Sequence, residues 1–138
     1  MFREPHDILE MELHSDERGR LNEVLRHIDH GIPSGGQLYV FTINPGFRRG
    51  DHYHTYKREW FTCVSGEAIV LVEDKEGNKK KILLSSEKPA VFYCGPYTSH
   101  ALINKGDVEA VVVSYGSHQH DPDEPDTYAK FIEYGEDL

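Results

Sequence analysis

Four side chains of types that bind metal ions are spaced for a common site. His52, His54 and Glu59 lie within one short segment, and His100 follows on a later predicted strand. Alternate residues of a strand face the same side, so His52 and His54 project together while Tyr53 turns away. Three imidazoles and one carboxylate suit a first-row divalent ion better than calcium, which takes more oxygen ligands. The spacing predicts a transition-metal site, with zinc expected first and manganese, iron, nickel or copper as alternatives.

The ligand set leaves the role of the metal open. With four protein ligands, water or substrate can still bind if the ion expands to five or six coordination. A catalytic ion and an ion that only braces the fold are therefore both compatible with the sequence. The remaining alternative is that four polar strand residues fall at these spacings by chance.

The elements that must position these residues are short strands separated by turn signals, so the expected fold is all-β. Residues 59–64 and 67–72 are predicted to form a pair joined tightly at Ser65 and Gly66. From Asp126 onwards, apolar residues at near-helical spacing could form a short C-terminal helix. The other predicted strands are residues 37–44, a segment around 80–84, and residues 90–93, 100–104 and 109–115.

Length and charge exclude several classes of function. The chain of 138 residues is expected to be a single domain, with a metal-binding core at about 36–116 and a tail at 117–138. The formal net charge of −9 argues against a nucleic-acid partner. Cys63 and Cys94 are expected to be reduced and packed, and with no signal peptide or membrane span in view the expected compartment is the cytoplasm.

The spacing of the candidate ligands resembles the two-part signature of the cupin superfamily. Residues 46–66 read Gly-x5-His-x-His-x4-Glu-x6-Gly, and residues 100–104 read His-x3-Asn. The resemblance implies a cupin double-stranded β-helix, which is a small jelly-roll barrel of two sheets with a metal at its mouth. Many chemistries use this fold, so the flanking segments must carry the functional argument.

Those flanks resemble enzymes that act on nucleotide-linked sugars. Residues 16–23 are similar to the Asp-x-Arg-Gly-x-hydrophobic-x-Glu opening of nucleotide-sugar 3,5-epimerases. Residues 45–59 and the Asp-Pro-x-x-Pro-Asp-Thr-Tyr tail at 121–128 look like the C-terminal cupin domain of capsular polysaccharide enzymes. Residues 49–54 also fit the small sugar-nucleotide 3,4-ketoisomerases. One departure matters, because the 3,5-epimerases use a histidine of the Arg-Gly-x-His segment as base, whereas His52 here is a candidate ligand.

The resemblance implies removal of a proton next to a ketone, with epimerisation at C3, or C3 and C5, of a UDP- or dTDP-4-keto-6-deoxyhexose. A metal could stabilise the enolate oxygen at C4. The candidate proton-transfer residues are Lys57, Tyr97 and Tyr115, and each has a structural alternative as a surface or packing residue. The alternatives for the whole protein are a 3,4-ketoisomerase and a non-catalytic cupin that binds a metal or sugar.

Arginines near the metal ligands are candidates for binding the sugar diphosphate, because a guanidinium fork matches phosphate oxygens. They are Arg18, Arg48 and Arg49, with a solvated surface pair on a loop as the alternative. The expected partner is a nucleotide-linked sugar, with neither nucleic acid nor membrane involved. A homodimer is expected, because pairing would cover an exposed strand edge.

Overall fold

The computed structural model describes residues 1–3, 7–31 and 35–135, and all regular structure within these ranges is β. The all-β prediction is therefore confirmed. No helix within these ranges is long and apolar enough to span a bilayer. The strands are β1 Glu12–Asp16, β2 Gly19–Arg26, β3 Gln37–Ile43, β4 Arg48–Tyr53, β5 Glu59–Ser65, β6 Glu67–Glu73, β7 Lys79–Ser85, β8 Phe92–Cys94, β9 Ser99–Ile103, β10 Ala110–Gly116 and β11 Tyr128–Ala129.

Two antiparallel sheets face each other across the core. The first has the order β1-β2-β3-β10-β5-β8 and the second the order β11-β4-β9-β6-β7. Because successive side chains of a strand point to opposite faces, each strand contributes alternate apolar residues to the space between the sheets. Cys63 and Cys94 are free thiols within this core, as the sequence predicted. The other buried core residues are Phe41, Ile43, Phe61, Ala68, Val70, Leu84, Leu102, Ala110 and Val112.

The predicted pairing of residues 59–64 with 67–72 is wrong. β5 pairs with β10 and β8 in the first sheet, and β6 pairs with β9 and β7 in the second. Both edges of each strand are thus already occupied by other strands. The turn at Ser65 and Gly66 carries the chain from one sheet to the other, so both strands present alternate residues to the same core.

The C-terminal helix is also wrong within the described residues, which end at Gly135. β11 pairs with β4 at the edge of the second sheet, and the extended residues after it pack on the outer face of that sheet. Ile132 is fully buried against Leu71, Ala101 and Ile103. Its backbone is held by Asp51, whose Oδ1 accepts the Ile132 N–H at 3.1 Å. Tertiary contacts with the sheet therefore override the near-helical spacing of the tail.

Replacing Ile132 with alanine is expected to lower the free energy of unfolding by about 2 to 5 kcal/mol, the usual effect of emptying a fully buried isoleucine site. The matched control is Ile28→Ala, because Ile28 is 71% exposed. That change should stay within about 0.5 kcal/mol of wild type. Chemical denaturation of both variants measures the difference. Equal stability of the two would show that the tail does not pack on the sheet in solution.

Candidate metal centre and its cavity

The structure brings the four predicted metal ligands together between the two sheets. His52 is the second-last residue of β4 and His54 follows that strand directly, while Glu59 begins β5. His100 lies on β9, opposite His52 in the register of the second sheet. One candidate ligand atom from each of the four lies within 4.8 Å of the others. His54, Glu59 and His100 are buried and His52 is half-buried, so the group is shielded from competing solvent.

A bulge in β4 aims this strand at the cavity. Arg49 and His52 both line the cavity although they are three residues apart, a separation that puts residues of a regular strand on opposite faces. The register with β9 shifts between Gly50 and His52, so β4 has one more residue here than β9, namely Asp51. Such a bulge reverses the side on which the following residues lie. Gly50 has φ +96°, and a Cβ there would lie 2.7 Å from the His100 carbonyl oxygen. A glycine is therefore needed for β4 to approach the strand that carries His100.

The contacts of His54 place its Nε2 against the carboxylate of Glu59. Its Nδ1 lies 2.6 Å from the Asp126 carbonyl oxygen, which can only accept, so Nδ1 carries a hydrogen. Its Nε2 lies 2.5 Å from Oε1 of Glu59. Two lone pairs would repel at this distance, and a proton or a cation between the two atoms would remove that repulsion. Glu59 Oε1 is also 3.5 Å from Nε2 of His100, and this donor set fits a divalent transition metal.

The protonation states favour metal binding at neutral pH. Burial by itself raises the pKa of Glu59, but the hydrogen bond with His54 and the charges of His100 and Lys57 hold it well below its usual value. Burial, followed by the charges of His100 and His54, lowers the pKa of His52 to about 3. Burial likewise lowers the pKa of His100. An ionised carboxylate and neutral imidazoles are the forms that coordinate a metal.

A cavity of about 410 Å³ opens over this group. One end is cationic: Arg18 and Arg49 line it together with Asp16, which pairs with Arg18 at 2.5 Å. The other end carries the carboxylate of Glu23 and the amide of Gln37. Gln37 Nε2 donates to Glu23 Oε1 at 2.9 Å. The remaining lining residues are His14, Leu21, Tyr39, His52, His54, Lys57, Glu59, His120 and Thr127. The cavity can thus hold a ligand with an anionic end and a hydrogen-bonding end.

The two adjacent arginines of β4 point in opposite directions. Arg49 lines the cavity, its Nε donates to the Thr42 carbonyl at 2.9 Å, and its terminal nitrogens donate to no described residue. Arg48 lies on the outer face, where its guanidinium donates two hydrogen bonds to the Asp51 carboxylate and stacks on Phe131. Adjacent strand residues face opposite sides, so only one of the pair can reach the cavity. Arg48, predicted as a substrate ligand, therefore lies outside this cavity.

Of the three predicted proton-transfer residues, the structure places only Lys57 in the cavity. Its side chain is buried, and its Nζ makes no ion pair with a described acidic residue. Tyr97 is half-exposed and stacks on Tyr53 outside the cavity. Tyr115 accepts a hydrogen bond from the Gly36 N–H and packs on Trp60. Neither tyrosine lines the cavity, so the structure does not bring these two predicted residues to the candidate site.

Tyr39, which was not predicted from the sequence, is the tyrosine that lines the cavity. Its hydroxyl donates to Glu59 Oε2 at 2.6 Å. Burial and the nearby Glu59 carboxylate raise the pKa of Tyr39 well above its usual value, which keeps the hydroxyl protonated. The period-two alternation of β3 places Gln37 and Tyr39 on one face. That signal could have identified Tyr39 only if the inward face of β3 had been known.

A second group of metal-type side chains lies at the carboxylate end of the cavity, where Glu12, His14 and Glu23 approach one another. The Arg26 guanidinium contacts both carboxylates of this group, at 2.7 Å to Glu12 and 3.5 Å to Glu23. A cationic partner is therefore already supplied by the protein. We assign no metal to this group.

Comparison with known proteins gives a consistent family. Residues 14–128 match a protein-family model described as the polysaccharide biosynthesis C-terminal domain. The chain is 34% identical over 118 residues to the UDP-2-acetamido-2,6-beta-L-arabino-hexul-4-ose reductase of Pseudomonas aeruginosa, a match that covers 85% of this chain and 30% of that protein. It is 24% identical over 119 residues to the spore coat polysaccharide biosynthesis protein SpsL of Bacillus subtilis, covering 82% of this chain and 79% of SpsL.

Solved structures share the fold. The capsular polysaccharide assembling protein CapF of Staphylococcus aureus matches with a TM-score of 0.82 and 26% identity, over 91% of this chain and 33% of CapF. The oxalate decarboxylase of Lactobacillus farciminis matches with a TM-score of 0.69 and 19% identity, over 78% of this chain and 31% of that one, which shows the fold alone. The chain spans about a third of the length of CapF and of the Pseudomonas reductase. The cupin jelly roll expected from the sequence is confirmed.

Proposed function

This chain belongs to the polysaccharide biosynthesis C-terminal domain family, and from that membership we propose that it epimerises a nucleotide-linked 4-keto sugar. The substrate class is a UDP- or dTDP-4-keto-6-deoxyhexose, and the reacting centre is C3, or C3 and C5. The Pseudomonas relative is named for a UDP-linked hexul-4-ose, which carries its ketone at C4. Since this chain spans only 30% of that reductase, its reduction step is not part of the proposal.

The observation that carries the proposal is the content of the cavity. One space of about 410 Å³ is lined by a buried lysine, a tyrosine, two arginines and candidate ligands for a divalent ion. Proton abstraction beside a ketone needs a base, a returning proton and positive charge near the carbonyl oxygen. A metal store or sensor would need only the ligands, so Lys57, Arg18 and Arg49 favour the enzyme.

Each group in the cavity has an assigned task. The Lys57 amine removes the proton from C3, and electrons move onto the C4 oxygen to give an enolate. A divalent ion held by His52, His54, Glu59 and His100 would supply positive charge near that oxygen. Inversion requires a proton to return on the other face of the ring, and we assign that donation to the Tyr39 hydroxyl. Tyr39 then regains a proton from solvent, and the protonated Lys57 amine releases one to solvent.

Solvent exchange followed by NMR tests the reaction directly. The purified protein is incubated in deuterated water with UDP- and dTDP-4-keto-6-deoxyglucose-type sugars, with and without a chelator. Deuterium at C3 with inverted configuration is the expected result. A carbonyl that moves to C3 would identify a 3,4-ketoisomerase instead. Absence of exchange with every such sugar would contradict the enzyme and leave a binding protein.

Arg49→Ala is expected to raise the KM for the nucleotide sugar roughly 10- to 100-fold, because a hydrogen-bonded guanidinium contact to phosphate contributes about 1.5 to 3 kcal/mol. The matched control is Arg48→Ala, which removes the same charge from the opposite face of β4. Its KM should stay at the wild-type value when measured well below its melting temperature. Equal KM values for wild type and Arg49→Ala would remove Arg49 from the diphosphate site.

A further inference from the structure

The unusual tail motif at residues 121–128 ends on the metal centre. β11 begins at the last residue of the motif and pairs with β4, so that Tyr128 lies opposite Tyr53 and Ala129 opposite His52. Thr127 lines the cavity beside the candidate ligands. The tail therefore closes over the strand and turn that carry two of the four ligands.

Asp126 is the residue through which the tail holds this turn. Its carboxylate accepts hydrogen bonds from the Thr55 N–H at 2.8 Å, the Thr55 hydroxyl at 2.5 Å, and the backbone N–H groups of Tyr56 and Lys57 at 3.0 Å each. Asp126 is only 7% exposed. These four donors cover three consecutive residues of the short segment between His54 and Glu59. The carboxylate thus fixes the path of the chain between two ligands.

The main chain of Asp126 contacts the ligand itself. Its carbonyl oxygen accepts the Nδ1–H of His54 at 2.6 Å, which turns Nε2 toward Glu59. A hydrogen bond at the far nitrogen fixes the tautomer and orientation of a ligating imidazole. A purely structural cap would need only the carboxylate contacts. The two sets of contacts join at one residue, so loss of the carboxylate would also release the carbonyl from His54.

We propose that Asp126 is a positioning residue for the metal centre, acting on His54 through its carbonyl and on Lys57 through its carboxylate. The tail motif is then part of the metal site rather than a surface extension. This inference rests on the metal site in the proposed function, and it concerns metal affinity rather than the reaction.

The test compares Asp126→Ala with Asp123→Ala in the full chain. Asp123 lies in the same motif and is exposed, and its carboxylate makes no hydrogen bond or ion pair with a described residue. Zinc affinity is measured by competition with a chelator, well below the melting temperature of each variant. Asp126→Ala should bind zinc roughly 10- to 100-fold more weakly, as expected when an outer partner of a ligand is lost. Asp123→Ala should stay within about twofold of wild type.

A second readout follows the imidazole directly. In nitrogen-15 labelled, metal-free protein, the Nδ1–H of His54 should exchange slowly with solvent in wild type and Asp123→Ala, and rapidly in Asp126→Ala. A folded Asp126→Ala with wild-type zinc affinity and a protected Nδ1–H would overturn the inference. Wild-type protein that binds no zinc, manganese, iron or nickel would instead overturn the metal site beneath it.

A milder variant covers the case in which Asp126→Ala does not fold. Thr55→Val removes only the hydroxyl that donates to Asp126 Oδ1 and keeps the side-chain shape. Zinc affinity should fall roughly threefold to tenfold if the turn positions His54. Unchanged affinity in Thr55→Val, together with an unfolded Asp126→Ala, would show that Asp126 serves stability alone and would also overturn the inference.

Discussion

Replacing Glu59 with glutamine is expected to weaken the binding of a divalent metal ion by roughly 100-fold or more. A four-ligand site with a total binding free energy of about 10 to 16 kcal/mol loses on the order of 3 kcal/mol with one ligand. The glutamine keeps the shape of the side chain but removes the charge that offsets the divalent ion. It would also leave the 2.5 Å contact with His54 without its ionic partner.

Calorimetric titration with zinc and with manganese measures this effect, and Glu67→Gln is the matched control. Glu67 lies on β6 with an exposed side chain, so its replacement should leave metal affinity unchanged. Melting temperatures with and without metal separate the two roles of the ion. Lost activity in a folded Glu59→Gln protein supports a catalytic ion, and failure to fold supports a brace. Unchanged metal affinity would remove Glu59 from the ligand set.

Lys57→Met is expected to slow deuterium incorporation at C3 roughly 10²- to 10⁴-fold, the usual contribution of a positioned acid or base. Methionine preserves an unbranched side chain in the buried position but cannot accept a proton. The affinity for the nucleotide sugar should change much less, because the diphosphate is assigned to Arg18 and Arg49. Lys75→Met, in the exposed turn between β6 and β7, is the control and should keep the wild-type rate.

A second variant tests the position of the amine without removing it. A Cβ at Gly116 would lie 2.8 Å from Cε of Lys57 and 3.5 Å from its Nζ. Gly116→Ala should therefore displace the lysine at little cost in stability, because the end of a flexible side chain can move. We expect a slower exchange rate with an unchanged melting temperature. Wild-type rates in both Lys57→Met and Gly116→Ala would assign the base to another residue.

Local strand geometry explains why the candidate ligands could be predicted. The pair His52 and His54 follows from alternation along one strand, and the carboxylate and the later histidine follow from a motif resemblance. The structure brings all four within 4.8 Å of one another. The tail motif was also recognised, but its role was not, because the contacts of Asp126 join residues about 70 positions apart.

Residues that depend on which face of a strand is inward were not predictable in the same way. From the sequence, Arg48 and Arg49 are equally good candidates for the cavity. The bulge at Gly50 and Asp51 decides which of them lies on the same side as His52. Tyr39 reaches Glu59 only because β10 lies between β3 and β5 and both outer strands turn the same face to the cavity. The prediction of Tyr97 and Tyr115 depends only on their positions near His100 and at a strand end, and in the structure neither side chain lines the cavity.

By itself the sequence determined the all-β class, the four candidate ligands and the family resemblance, since each depends on residue types and spacing along a short stretch of chain. Only the tertiary structure decided which arginine and which tyrosine line the cavity, how β5 and β6 divide between the sheets, and what the tail holds. Those outcomes depend on strand register, on one inserted residue and on burial of Ile132 against distant strands. The alternation of side chains along a strand determines which residues share a face. Which of the two faces is buried depends on how one sheet packs on the other.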